Sequence, residues 1–131
     1  MMNYYSEQVK KLDKEVYPHK DITEKIRLSK SYLEKHYAEN LGINDLAAKA
    51  CISRFHFIRI FKKYYGQTPN QYLQDVRIKN AKKLLLKNLS VDKVCSAVGF
   101  ESKTTFTCLF RKSTGLTPIA YRNKKAILKN D

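Results

Sequence analysis

The sequence predicts an all-α fold. Three observations carry that expectation. Apolar residues recur at three-and-four spacing in the long segments, and no stretch alternates apolar and polar residues over a useful length. In addition, one motif is written twice, on either side of a long amphipathic helix. The expected division is an N-terminal extension with a short helix (residues 1–20), a first lobe (21–68), a linker helix (69–88) and a second lobe (89–131).

Charge narrows the class. The 131 residues carry a net charge of +14, placed unevenly. Residues 1–52 hold nine Lys/Arg against eight Asp/Glu, whereas residues 53–131 hold seventeen against four. Such asymmetry marks a surface for a polyanion, most often nucleic acid and sometimes an anionic membrane. No apolar run approaches the roughly 20 residues that span a bilayer, and the N-terminus lacks the pattern of a signal peptide. Cys51, Cys95 and Cys108 form no C-x-x-C pair, so no zinc site, cofactor or disulfide framework is expected and the setting is a reducing cytoplasm.

In chain order, Tyr5, Val9, Leu12 and Val16 share one helical face, and Pro18 turns the chain away. Asp21 stands three residues before Glu24, the spacing of a capping box. Ile22, Ile26, Ser29, Leu33 and His36/Tyr37 then continue a helix to about Ala38, closed by Asn40 and Gly42. The first copy of the motif starts at Ile43 and the second at Val91. Leu46 answers Val94, Ala47 answers Cys95 and Ile52 answers Phe100. After a one-residue insertion, Phe57 answers Phe106 and Phe61 answers Phe110. Lys62-Lys63 answers Arg111-Lys112, and G-x-T-P-x-x-Y recurs at 66–72 and 115–121. Between the copies, Pro69–Lys87 is amphipathic, with Tyr72, Leu73, Val76, Ala81, Leu84 and Leu85 in its apolar stripe. Arg77, Lys79, Lys82, Lys83 and Lys87 lie mostly outside it.

Each copy has the grammar of a helix-turn-helix. A short helix carries a small residue, Ala47 or Cys95, where a second helix crosses closely. One apolar side chain, Ile52 or Phe100, anchors the turn, and Ser53 or Ser102 caps the second helix. That helix buries Phe57 and Phe61, or Phe106 and Phe110, as core. Its other face in the first copy shows Arg54, Phe55, Ile58, Arg59, Lys62 and Lys63, with no acid among residues 53–74. An exposed, acid-free face is what a DNA major groove accommodates. His56 is expected to pack or bond a backbone group, and Cys51 and Cys95 to fill small apolar positions.

The tandem pattern S-x-x-x-F-x-x-x-F followed by two basic residues, with G-x-T-P-x-x-Y and the A-V-G-F-E-S turn at 97–102, resembles the DNA-binding domain of AraC/XylS-type transcription regulators. The resemblance covers about Ile22 to Lys125. It implies seven helices in two homeodomain-like helix-turn-helix lobes, joined by the linker helix, with the N-terminal helix as an extra. It also implies a monomer reading two successive major-groove segments of double-stranded DNA, about one turn or roughly 34 Å apart. The base-reading residues would be Arg54, Phe55, Ile58 and Arg59, then Lys103, Thr104, Thr107 and Cys108. Arg59 is placed for a bidentate guanine contact, worth on the order of 1–3 kcal/mol of discrimination. Cys108 departs from the family, which often has arginine there, and leaves the second lobe to methyl contacts and shape. Ser53, Lys62, Lys63, Ser102, Arg111 and Lys112 would meet phosphates, with Arg122, Lys124, Lys125 and Lys129 adding to them.

By the same resemblance the protein is a regulator, in the activator sense, with RNA polymerase as its expected protein partner. Such regulators usually have a separate sensing or dimerisation domain, so the chain is either free-standing or a piece of a longer regulator. The alternative is a non-specific basic binder of RNA or ribosomes, which explains the charge but not the repeat. An enzyme, such as a DNA-repair alkyl acceptor, is a third reading. Against it, no Cys-His pair, paired carboxylates or glycine-rich phosphate loop stands out.

Overall fold

The computed structural model describes residues 20–130, with side chains over residues 21–125. The helix expected over Tyr4–Val16 and the side chain of Lys129 lie outside these. Seven helices occur among the described residues and no strand does. They are α1 (Lys20–Lys35), α2 (Ile43–Lys49), α3 (Arg54–Tyr65), α4 (Pro69–Leu85), α5 (Val91–Ala97), α6 (Lys103–Thr114) and α7 (Pro118–Asn130). They fall into two compact units. The first holds the described residues up to Lys35 together with Leu41–Asn70; the second holds His36–Asn40 and the chain from Gln71 onward.

In the first unit α3 packs on both α1 and α2. Ile26 and Leu33 of α1, Leu46, Ala47 and Ala50 around α2, and Phe57 and Phe61 of α3 are buried. The Phe57 and Phe61 rings lie 5.9 Å apart, and Phe61 meets Tyr65 edge-on at 4.9 Å. A hydrogen bond of 3.1 Å between Thr23 Oγ1 and the Tyr64 hydroxyl ties α1 to α3. Asp21 and Glu24 do not form the expected capping box. Asp21 pairs with Lys25 at 3.2 Å, and the Glu24 carboxylate is engaged by Arg27, whose Nε donates at 2.9 Å. That pairing holds the Glu24 carboxyl below its ordinary range. The helix stops at Lys35 rather than near Ala38, and His36–Asn40 leaves to join the second unit.

The second unit has a continuous core. Ile78, Ala81 and Leu85 of α4 pack with Val91, Val94, Cys95, Val98, Phe100, Phe106 and Phe110. The aromatic rings run in series, with centroid separations of 5.2 Å (Phe100–Phe106), 5.7 Å (Phe106–Phe110) and 5.3 Å (Phe110–Tyr121). The buried stripe of α4 is Leu73, Arg77, Ile78, Ala81 and Leu85, while Tyr72, Val76 and Leu84 are half-buried. Arg77 therefore lies inside the stripe, not outside it as expected, and is only 8 % exposed. The helix ends at Leu85, two residues before the expected Lys87, in a turn where Asn88 takes φ 64°.

The duplicated motif is duplicated in backbone detail. In the first turn Ala50, Cys51 and Ile52 donate to Leu46, Ala48 and Ala47 carbonyls; in the second Val98, Gly99 and Phe100 donate to Val94, Ser96 and Cys95. Both are helix C-caps with a left-handed residue followed by a six-to-one bond, the Schellman arrangement. Ser53 and Ser102 then cap α3 and α6, accepting from the backbone N–H of His56 (3.2 Å) and Thr105 (3.3 Å). Left-handed Gly66 and Gly115 end those helices. Pro69 and Pro118 start the next, where a missing N–H costs nothing.

Candidate nucleic-acid interface

Capping fixes where each second helix begins, and the phenylalanines four apart fix which side faces the core. The remaining side is then determined. On α3, positions 55, 59, 62 and 63 lie opposite Phe57 and Phe61, with position 58 on the flank and position 54 at the exposed start of the helix. Arg54, Phe55, Arg59, Lys62 and Lys63 are exposed there, and Ile58 is half-buried. Phe55 is 77 % exposed, a large ring on the helix that also carries exposed Arg54 and Arg59.

On α6 the same six positions are Lys103, Thr104, Thr107, Cys108, Arg111 and Lys112. All are exposed except Thr107, which is half-buried. With Thr117 they line one open concavity of about 820 Å³, so the second set of expected residues is brought together on one surface. No acid lies on α3 or α6 themselves. One sits at the edge of the second face: Asp92, near the start of α5, holds the Lys103 ammonium at 3.1 Å. The sequence reading missed this pair, which joins residues eleven apart across the turn.

Several expected contributors have other occupations. Arg122 is half-buried, and its Nη1 donates to the Leu89 carbonyl at 3.0 Å. Lys125 lies 5.8 Å from the Tyr121 ring centroid, and Lys124 is exposed. His56 gives its backbone N–H to the Ser53 cap while its side chain is exposed rather than packed. Cys95 is buried with its thiol 3.7 Å from the Phe100 carbonyl, and burial pushes the thiol's pKa up, aided by Asp92 and opposed by Lys103. Cys51 is half-buried and Cys108 exposed. No cluster of three or more His, Cys, Asp or Glu that suits a metal ion occurs among the described residues. No helix among them is long and apolar enough to cross a membrane.

Residues 46–124, which contain both turns and both exposed faces, match the model of a helix-turn-helix domain family. The chain belongs to the AraC/XylS family of helix-turn-helix transcription regulators. It is 36 % identical over 94 residues to the uncharacterized regulator YobQ of Bacillus subtilis, covering 71 % of this chain and 39 % of YobQ. The bifunctional transcriptional activator/DNA repair enzyme AdaA of the same organism is 36 % identical over 101 residues, covering 76 % of this chain and 48 % of AdaA. The MmsAB operon regulatory protein of Pseudomonas aeruginosa is 37 % identical over 95 residues, or 72 % of this chain and 31 % of that protein. The chain thus spans less than half the length of these curated relatives.

Among solved structures, the DNA-binding domain of the global transcriptional factor AdpA, in complex with a target DNA, matches with a TM-score of 0.77 and 31 % identity. The match covers 81 % of this chain and 96 % of that one. An AraC-type regulator from Chromobacterium violaceum matches at 0.71 and 30 %, covering 79 % and 94 %.

Proposed function

We propose that this AraC-type chain binds double-stranded DNA sequence-specifically, with α3 and α6 each entering a major-groove segment. The observation that carries the reading is the doubled face. Two helices, each fixed in rotation by a serine cap and a buried phenylalanine pair, present the same six positions with basic groups and no acid. A non-specific basic surface has no need of such registration, whereas a helix read against base edges does. The AdpA domain, solved on its target DNA, has the same fold over most of this chain.

Within this reading, Arg54 and Arg59 supply the guanidinium forks of the first face, and Phe55 and Ile58 contact thymine methyls or sugar. Lys103, Thr104, Thr107 and Cys108 read the second segment through methyl contacts and shape. Ser53, Lys62, Lys63, Ser102, Arg111 and Lys112 meet phosphates. The chain acts as a monomer on an asymmetric site, as a cytoplasmic activator that contacts RNA polymerase, with no enzymatic step of its own.

Binding selection on a random duplex library at near-physiological salt tests this, with wild type and Arg59→Ala in parallel. The expected result is an asymmetric site with two contact blocks about one helical turn apart, and one position of the first block relaxed by Arg59→Ala. The absence of any enriched motif, with binding that falls steeply with salt for every sequence alike, would replace this reading by a charge-driven binder of any nucleic acid.

A further inference from the structure

Two polar or charged side chains are buried among the described residues, Ser29 (7 % exposed) and Arg77 (8 %). They are separated by 48 positions, the offset that relates Leu46 to Val94, so they occupy the same place in the helices that precede the two copies. Their solutions differ. Ser29 is satisfied inside its own helix, its hydroxyl donating to the Lys25 carbonyl at 2.9 Å. Arg77 reaches out of α4 to a separate piece of chain: its Nε donates to the Tyr37 carbonyl at 2.7 Å and its Nη2 to the Glu39 carbonyl at 2.9 Å. A planar fork suits two such acceptors at once, and an ammonium does not.

The residue between those carbonyls touches the turn of the second helix-turn-helix. A Cβ built on Gly99 would come within 2.9 Å of the Ala38 carbonyl oxygen and 3.0 Å of its Cα. Gly99 also takes φ +96°, so both space and backbone conformation demand glycine. Its neighbour Phe100 lies 5.7 Å from the Arg77 guanidinium and 5.2 Å from Phe106 of α6. Tyr37 packs on the same core. Residues 36–40 are thus held on three sides by groups that also define the turn and the start of α6.

We infer that residues 36–40 form a strap belonging to the second helix-turn-helix, latched by Arg77, and that Arg77 is thereby a positioning residue for the DNA-reading face of α6. Arg77 touches no base in this scheme. It holds Ala38 against Gly99, which seats Phe100 and sets the angle at which Lys103, Thr104 and Cys108 are offered. The inference rests on the base-reading proposal for its DNA consequence, but not for its structural one.

The test uses the full chain and two variants. Arg77→Lys keeps the charge and stem but loses the fork; Arg77→Met removes the charge, and the lysine variant stands alone if the methionine one fails to fold. Hydrogen exchange of the free protein should show amides of residues 99–106 opening at least about tenfold faster, with those of residues 46–57 unchanged. On DNA, the cost of scrambling the second contact block should shrink about tenfold or more, while the cost of scrambling the first stays within about twofold. Unaltered exchange across residues 99–106 would overturn the strap. Loosened exchange with second-block discrimination intact, or equal loss at both blocks, would overturn the positioning role. A wild type that discriminates neither block would refute base reading, and the exchange measurement would still decide the strap.

Discussion

The two helix-turn-helix copies have the same backbone plan but divide their quality in opposite ways. The first has the stronger chemistry for the proposed base reading: two exposed arginines and a ring that is 77 % exposed. Its framework is the looser one. Gly42 begins α2 with no side-chain cap, half-buried Ile52 anchors the turn, and Cys51 takes φ 58°, a left-handed conformation that costs a residue with a Cβ about 1–2 kcal/mol. The second copy has Ser90 as a cap, buried Phe100 as anchor, Gly99 at the left-handed position and the Arg77 latch. Its proposed reading face offers two threonines, a thiol and a lysine already paired to Asp92. The framework residues lie before α3 and α6, in the caps, the turns and the linker helix, whereas the proposed reading groups lie on α3 and α6 themselves.

The largest expected effect lies in what the copies share. Phe57→Ala and Phe106→Ala each delete a fully buried ring and should cost about 3–5 kcal/mol by denaturant unfolding. Amide exchange read separately in each unit should show the damage concentrated in the mutated one. Next comes the chemistry that separates them. Cys108→Arg should create a guanine preference in the second contact block, and Arg59→Ala should erase one in the first, each by roughly 1–3 kcal/mol in competition binding. If Cys108→Arg raised affinity for all sequences equally, the second face would be a phosphate-binding surface and the comparison would need redrawing.

The framework contrasts are smaller. Ser90→Ala should cost about 1 kcal/mol of stability, whereas Gly42→Ser should add only a few tenths, because glycine is itself a tolerable cap. A Cβ at residue 42 also lies 3.2 Å from the flexible Asp45 carboxylate. Cys51→Gly should stabilise by a few tenths to about 1 kcal/mol, the relief of left-handed strain exceeding the added freedom of the unfolded chain. A loss of stability there would mean that the thiol's packing outweighs the strain. The smallest expected change is at Asp92→Asn. An exposed ion pair contributes about 0–1 kcal/mol, so folding stability should hardly move. Removing the charge should tighten DNA binding modestly, with a steeper dependence on salt.

Much of this was legible from the sequence. Helix starts at Ser53 and Ser102, their ends at Gly66 and Gly115, and the phenylalanine pairs that orient α3 and α6 all depend on residues within a turn or two of one another. The faces at positions 55, 59, 62 and 63, and at their counterparts on α6, follow from those pairs by helical geometry, while Arg54 and Lys103 are exposed as the first residues of their helices. Arg77 was legible too: it sits four residues from both Leu73 and Ala81, squarely in the buried stripe. Its charge argued for solvent, and periodicity was the better guide. Ile78, one residue on, belongs to the same buried side.

Tertiary structure decided what those local rules leave open. Arg77 finds its acceptors 40 and 38 residues away, and Arg122 finds Leu89 33 residues away. Residues 36–40 follow α1 directly in the chain yet pack with the other unit. No propensity or period encodes such meetings, because a buried guanidinium is tolerable only where folding happens to supply carbonyls to receive it. Local residue patterns alone dictate two registered helices with basic exposed faces. Only the packed chain determined how the second of them is braced, since that depends on which backbone carbonyls folding brings within reach of one arginine.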